Sequence, residues 1–113
     1  MNSSIDRIKF YDAIYDFLCE TLNGDEVSIK ATLMVDNIEE TLLEINTMLF
    51  NDDINNISAV STKLHSVKNL LLYGDFYYES DLCQDMELEL RKGTPLHEIR
   101  PMFDDLMDSL KNQ

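Results

Sequence analysis

The chain contains no tryptophan, only two prolines and only three glycines, too few breakers for a structure built from many tight turns. No Pro-rich, Ser-rich or repeated segment interrupts it. Cysteine is equally scarce. Cys19 and Cys83 lie far apart, with no second Cys or His at metal-ligand spacing, so both read as small reduced core residues and no metal is expected. Long apolar runs are also missing. The run at residues 70–73 falls far short of the ~20 residues a membrane span needs, and Asp6 stands where a signal peptide would carry its apolar region. A soluble, cytoplasmic protein without membrane contact is expected. Basic residues are outnumbered, nine Lys plus Arg against 22 Asp plus Glu, for a formal charge of -13. Such a surface repels phosphate backbones and anionic lipid, so no nucleic-acid partner is expected.

What is present is helical periodicity. A length of 113 residues fits one domain, residues 1–113, and size scaling lets such a chain hide about two-thirds of its unfolded surface. Ser3 or Ser4 is a cap candidate for a first helix at about residues 4–23, with Ile5, Ile8, Tyr11, Tyr15, Leu18 and Leu22 on one stripe and Asn23-Gly24 as a left-handed stop. Val27, Ala31, Met34, Ile38, Leu42, Ile45 and Leu49 form the stripe of a long second helix that breaks at Asn51-Asp52-Asp53. Ile54, Ile57, Val60, Leu64, Val67 and Leu71 mark a third, ended by Gly74, with Asp75 as the next cap candidate. A fourth helix, at roughly 76–92, turns Glu79, Leu82, Cys83, Met86 and Leu90 inward and stops at Gly93. Thr94-Pro95 starts a fifth, with Leu96, Ile99, Phe103, Leu106 and Leu110 inward and Pro101 as a point of bending.

Period-two alternation is absent, so no sheet is predicted. Short connections between long amphipathic helices force antiparallel neighbours. The expected fold is all-α: an up-and-down antiparallel four-helix bundle at about residues 25–111, with an additional N-terminal helix.

Residues 54–74 contain no acidic side chain, although the whole chain carries 22. Lys63, His65 and Lys68 lie within that stretch, so an incoming anion meets least repulsion where the best nucleophile sits. On a helical wheel His65 points roughly 140° from the centre of the apolar stripe and is expected to be exposed. Ser58, Ser61, Thr62 and Asn69 share its polar face, and Lys68 follows one turn on. Leu72, seven residues past His65, falls on the same outward face, and an apolar residue beside an exposed imidazole suggests a docking surface.

The run Leu64-His65-Ser66-Val67-Lys68, then Gly74, then Leu82-Cys83-Gln84-Asp85-Met86-Glu87, then Arg91-Lys92-Gly93 resembles the histidine-containing phosphotransfer (HPt) domain of multistep phosphorelays. The resemblance covers residues 51–93. It implies that His65 is the phospho-acceptor, that Lys68 steadies the phosphoryl group, that Ser61, Thr62, Asn69 and Leu72 face a partner, and that Gly74 is structural near the site. The implied partners are a response-regulator receiver domain and a hybrid sensor histidine kinase. The receiver would bring Mg²⁺ and most of the charge stabilisation, and this chain, a monomeric carrier and not an enzyme, would need no cofactor. Three features depart from the family pattern. Asn69 replaces the Gly that usually follows the Lys, Leu70 and Leu71 replace small residues, and Gly74 comes one position early, although the spacing from His65 to Glu87 is kept. The expectation from Asn69 is a crowded site, with transfer slow, partner-restricted or absent.

Leu96-His97-Glu98-Ile99-Arg100-Pro101 resembles the phospho-accepting box of sensor histidine kinases, with one residue missing before the Pro. That box works in a dimeric hairpin followed by an ATP-binding domain, and 12 residues follow Pro101. His97 and Glu98 are therefore expected to be ordinary first-turn residues. The alternative functional class is a non-phosphorylated acidic adaptor or inhibitor that binds a signalling partner through its charge.

Overall fold

The computed structural model describes residues 5–51 and 56–111. It contains five helices: α1 (Arg7–Leu18), α2 (Gly24–Asn51), α3 (Ile57–Tyr73), α4 (Tyr77–Arg91) and α5 (Leu96–Lys111). No strand occurs among the described residues. Helices α2 to α5 form the up-and-down four-helix bundle. Each packs on its neighbour in sequence, α5 closes the ring against α2, and α1 lies across α2 and the edge of α3.

The inward stripes explain the packing. Val27, Ala31, Ile38, Leu42, Ile45 and Leu49 of α2 are buried, as are Val60, Leu64, Val67 and Leu71 of α3 and all five expected positions of α5. On α2 the stripe runs through Val35, with Met34 only partly covered beside it. Helix α5 continues through Pro101. Among the described residues no helix is long and apolar enough to cross a membrane.

The first helix differs from its sequence reading. It starts after Asp6, whose carboxylate accepts the Lys9 amide at 3.2 Å, and it ends at Leu18. Its buried face is Phe10, Ile14 and Leu18, while Ile8 is exposed and Tyr11 and Tyr15 lie at the rim. Two stripes of helical spacing run along this helix and share Leu18. The phenylalanine, having no polar atom, goes inward, and the tyrosines keep their hydroxyls wet. Because α1 stops early, Cys19 is exposed, against the expectation of a core thiol, whereas Cys83 is buried. Gly24 is no left-handed stop. It opens α2, where the Val27 amide donates to the Asn23 carbonyl at 3.1 Å. Ser3 and Ser4, expected to cap the first helix, Asp52 and Asp53, expected to break the second, and Ile54, expected on the third stripe, lie outside the described residues.

At the turn between α3 and α4, Gly74 caps α3 as expected, but Asp75 does not cap α4. Asp75 takes the left-handed conformation (φ 62), not Gly74 (φ -101). The Asp75 carboxylate accepts from the Tyr77 hydroxyl at 3.0 Å, and Phe76 holds the N-cap position without a side-chain cap. Gly74 is needed for a different reason. A Cβ there would meet two ring carbons of Phe76 at 2.4 and 2.7 Å and Ala13 at 3.2 Å. The Phe76 ring in turn stacks on Phe10 at 4.4 Å, so this turn is the seat of α1.

Gly93 does take the left-handed form (φ 93). The Gly93 amide donates to the Leu90 carbonyl and the Thr94 amide to the Glu89 carbonyl, both at 3.1 Å, which closes α4 with a Schellman motif. The Thr94 hydroxyl donates to Glu89 at 3.0 Å. Lys92 first and Thr94 second hold the Glu89 carboxyl below its usual range. At the opposite end of the chain, the Asp6 amide donates to the Leu110 carbonyl at 3.2 Å, tying the start of α1 to the last turn of α5.

Candidate functional site

The core stripe of α3 fixes which of its residues face out. With Val60, Leu64, Val67 and Leu71 buried, His65 is turned to solvent, 56% of its side chain exposed. Leu72 shares the outward face at 42% exposure. Thr62 and Asn69 are exposed and Ser61 is half-buried. The Thr62 hydroxyl donates back to the Ser58 carbonyl at 3.0 Å. Leu71 is fully buried and Leu70 packs against the core, so these two bulky residues point into the bundle.

The neighbouring helix contributes what the reading of α3 alone does not contain. On α4, Cys83, Met86, Glu87 and Leu90 share the buried face, so a carboxylate occupies a core position. Glu87 has 6% of its side chain exposed. Its Oε2 lies 3.6 Å from His65 Nδ1 and 4.0 Å from an Arg91 guanidinium nitrogen, and its Oε1 lies 4.0 Å from Lys68 Nζ. One carboxylate therefore gathers an imidazole and two cations from two helices.

Three consequences follow from this geometry. The neighbourhood of His65 is not free of negative charge: α3 carries none, but α4 supplies one from beneath. Two cations against one carboxylate still leave the group net positive before the imidazole is counted, which suits an arriving anion. Lys68 is only 19% exposed, so the ammonium expected on the open surface instead lies along the interface, its stem covered and its head near Glu87. Finally, the carboxylate beside Nδ1 favours a proton on that nitrogen, which leaves the lone pair on Nε2.

Glu87 Oε1 is buried without a hydrogen-bond partner among the described residues. Such an oxygen costs on the order of 1–3 kcal/mol against a paired one, and an apolar residue would fill the position more cheaply. Polar groups that violate a core pattern in this way concentrate at sites of function. The same carboxylate acts on its own helix: burial first, then Glu87, pushes the Cys83 thiol up to about 12, with Lys68 pulling the other way. Cys83 is a thiol at neutral pH and contributes no nucleophile.

Lys63, the third basic residue of the acid-free stretch, pairs with Glu44 of α2 and takes no part in the Glu87 group. His97 is exposed in the first turn of α5. Asp104 pairs with Arg100 at 3.3 Å. Sequence reasoning used Glu87 only as a spacing mark and did not single out Arg91. The signal for both was present. A Glu four residues after Cys83 and one after Met86 falls on the inward stripe, and an Arg four residues later stands over it. No protein-family model, curated protein or solved structure matches the chain.

Proposed function

We propose that the protein is a phosphorelay intermediate of HPt type, working in the cytoplasm and carrying a phosphoryl group on His65 between receiver-domain aspartates. The observation that supports this reading is the exposed imidazole whose Nδ1 faces a buried carboxylate flanked by Lys68 and Arg91.

Nε2 attacks the phosphorus of an aspartyl phosphate, the phosphorus-oxygen bond breaks, and the aspartate leaves as a carboxylate with the electron pair. The proton on Nδ1 stays in place, so the phosphorylated ring carries a positive charge that the Glu87 carboxylate stabilises. Lys68 turns toward the phosphoryl oxygens and offsets their charge. The second transfer is the reverse of the first, onto the aspartate of another receiver. The chain supplies a nucleophile and its orientation, and the receiver supplies the remaining charge stabilisation.

Incubation with a panel of phosphorylated receiver domains tests this. The expected product is an acid-labile, base-stable phosphoprotein that His65→Gln abolishes and His97→Gln does not. Label retained by the His65 variant would move the chemistry elsewhere. Receiver binding without any label would leave the acidic adaptor as the function.

A further inference from the structure

Helix α2 has 28 residues, against 17, 15 and 16 for the other three helices of the bundle. Its inner stripe is fully used by the core. On the opposite face Ile29, Leu33 and Leu43 are 64%, 63% and 54% exposed. Ile29 and Leu33 are one turn apart, and with Met34 they line a shallow depression of about 400 Å³. Aliphatic side chains left this open on a helix that already has a complete buried stripe mark a contact surface. Continued at spacings of three and four, the line of Ile29 and Leu33 passes through Asp36, Glu40 and Leu43, and Glu26 precedes it. That spacing is the seam of a left-handed helix pair.

Charge decides what covers the seam. Asp36 is neutralised by Arg7 at 2.6 Å, but among the described residues Glu26 and Glu40 have no ion pair, and Lys30 is the sole cation lining the depression. A second copy of the chain would bring these carboxylates against one another, on molecules that each carry -13. An anionic lipid surface is repelled for the same reason. A helix with Lys or Arg beside its aliphatic stripe satisfies both the apolar and the acidic positions.

We infer that the outer face of α2 is a docking site for a cationic amphipathic helix of a partner protein, separate from the His65 site on α3 and α4. The inference does not rest on phosphotransfer, since none of its residues belongs to the Glu87 group.

The probe is a synthetic Leu/Lys peptide of about 18 residues, long enough to span the seam at 1.5 Å per residue, with leucines at alternating spacings of three and four. A scrambled peptide of the same composition is the control. Titrated into the ¹⁵N-labelled full-length chain, the patterned peptide is expected to shift amide resonances around residues 26–43, to bind about tenfold more tightly than the control, and to weaken as salt is added. Replacing Ile29 and Leu33 together by Ser is expected to cost about tenfold in affinity without lowering the melting temperature. Equal binding of both peptides, shifts scattered over the acidic surface, or an unaffected double variant would overturn the proposal. So would sedimentation showing a dimer of the chain that Leu33→Asp breaks, which would give the face to a second copy.

Discussion

Glu87 Oε2 stands 3.6 Å from His65 Nδ1, with the carboxylate buried and the imidazole exposed. The separation exceeds a direct hydrogen bond, so the relationship is electrostatic: a fixed charge at the back of a ring whose front is open to solvent. Lys68 and Arg91 at 4.0 Å complete the charge balance. If this carboxylate serves the imidazole, removing it should affect transfer more than folding.

Glu87→Leu is the direct check. Leucine fills the core position without an unpaired oxygen, and Lys68 can reach water, so the change in unfolding free energy by denaturant titration should be within about 1 kcal/mol. Phosphoryl uptake from a receiver should fall about tenfold or more, and ¹⁵N chemical shifts should show the His65 ring losing its preference for a proton on Nδ1. Unchanged uptake would leave Glu87 without a role in transfer.

Lys68→Ala separates two contributions. It removes a cation near a buried carboxylate, and Arg91 alone is left to face Glu87. A destabilisation of about 1 kcal/mol is expected, more than an exposed helix lysine would give. Transfer should slow as well. Lys68→Arg should restore stability before it restores rate, because a guanidinium keeps the charge but changes the reach.

Leu72→Asp should leave the melting temperature within a few degrees of the parent, since the side chain is 42% exposed. It should weaken receiver binding, measured by titration calorimetry, by about tenfold, because it places a charge in an apolar contact beside His65. A large drop in melting temperature would assign Leu72 to the core instead.

The two cysteines should differ sharply in alkylation. Cys19 is exposed and should react with iodoacetamide in the native protein, whereas Cys83 should be labelled only after unfolding. The folded-state value of Cys83, about 12, lies above the value of an unfolded thiol near 9. The contribution to stability is therefore fully present below pH 9 and is lost as pH rises from 9 toward 12. Cys83→Ala should flatten that part of the stability profile.

The bundle was legible because its apolar residues repeat cleanly. In α5 each of the five residues expected to face inward is buried, and Gly93 is left-handed as the end of a helix requires. Errors came where two signals of equal strength competed. Along α1 the expected line through Ile8, Tyr11 and Tyr15 and the buried line through Phe10 and Ile14 both lead to Leu18 at helical spacing, and the choice falls to the second because Phe10 stacks on Phe76 while the tyrosine hydroxyls stay at the rim. At the next turn Gly74 ends α3 as expected, but the local rule that made Asp75 a helix cap failed: Asp75 takes the left-handed conformation and Phe76 holds the cap position, its ring filling the space a Cβ on Gly74 would need. The exposure of His65 followed from the wheel. The charge beneath it did not follow from α3 alone: Glu87 falls on the inward stripe of α4, but which α3 side chain it meets is set by how the two helices pack.

The hydrogen bond from the Asp6 amide to the Leu110 carbonyl brings residues at opposite ends of the sequence within 3.2 Å. Topologically, the described chain is a nearly closed loop. A short peptide bridge between these regions would allow the backbone to be opened at another turn, such as that around Gly24, with every helix keeping its neighbours. The order in which the helices are connected is thus separable from the arrangement that holds the imidazole over its carboxylate.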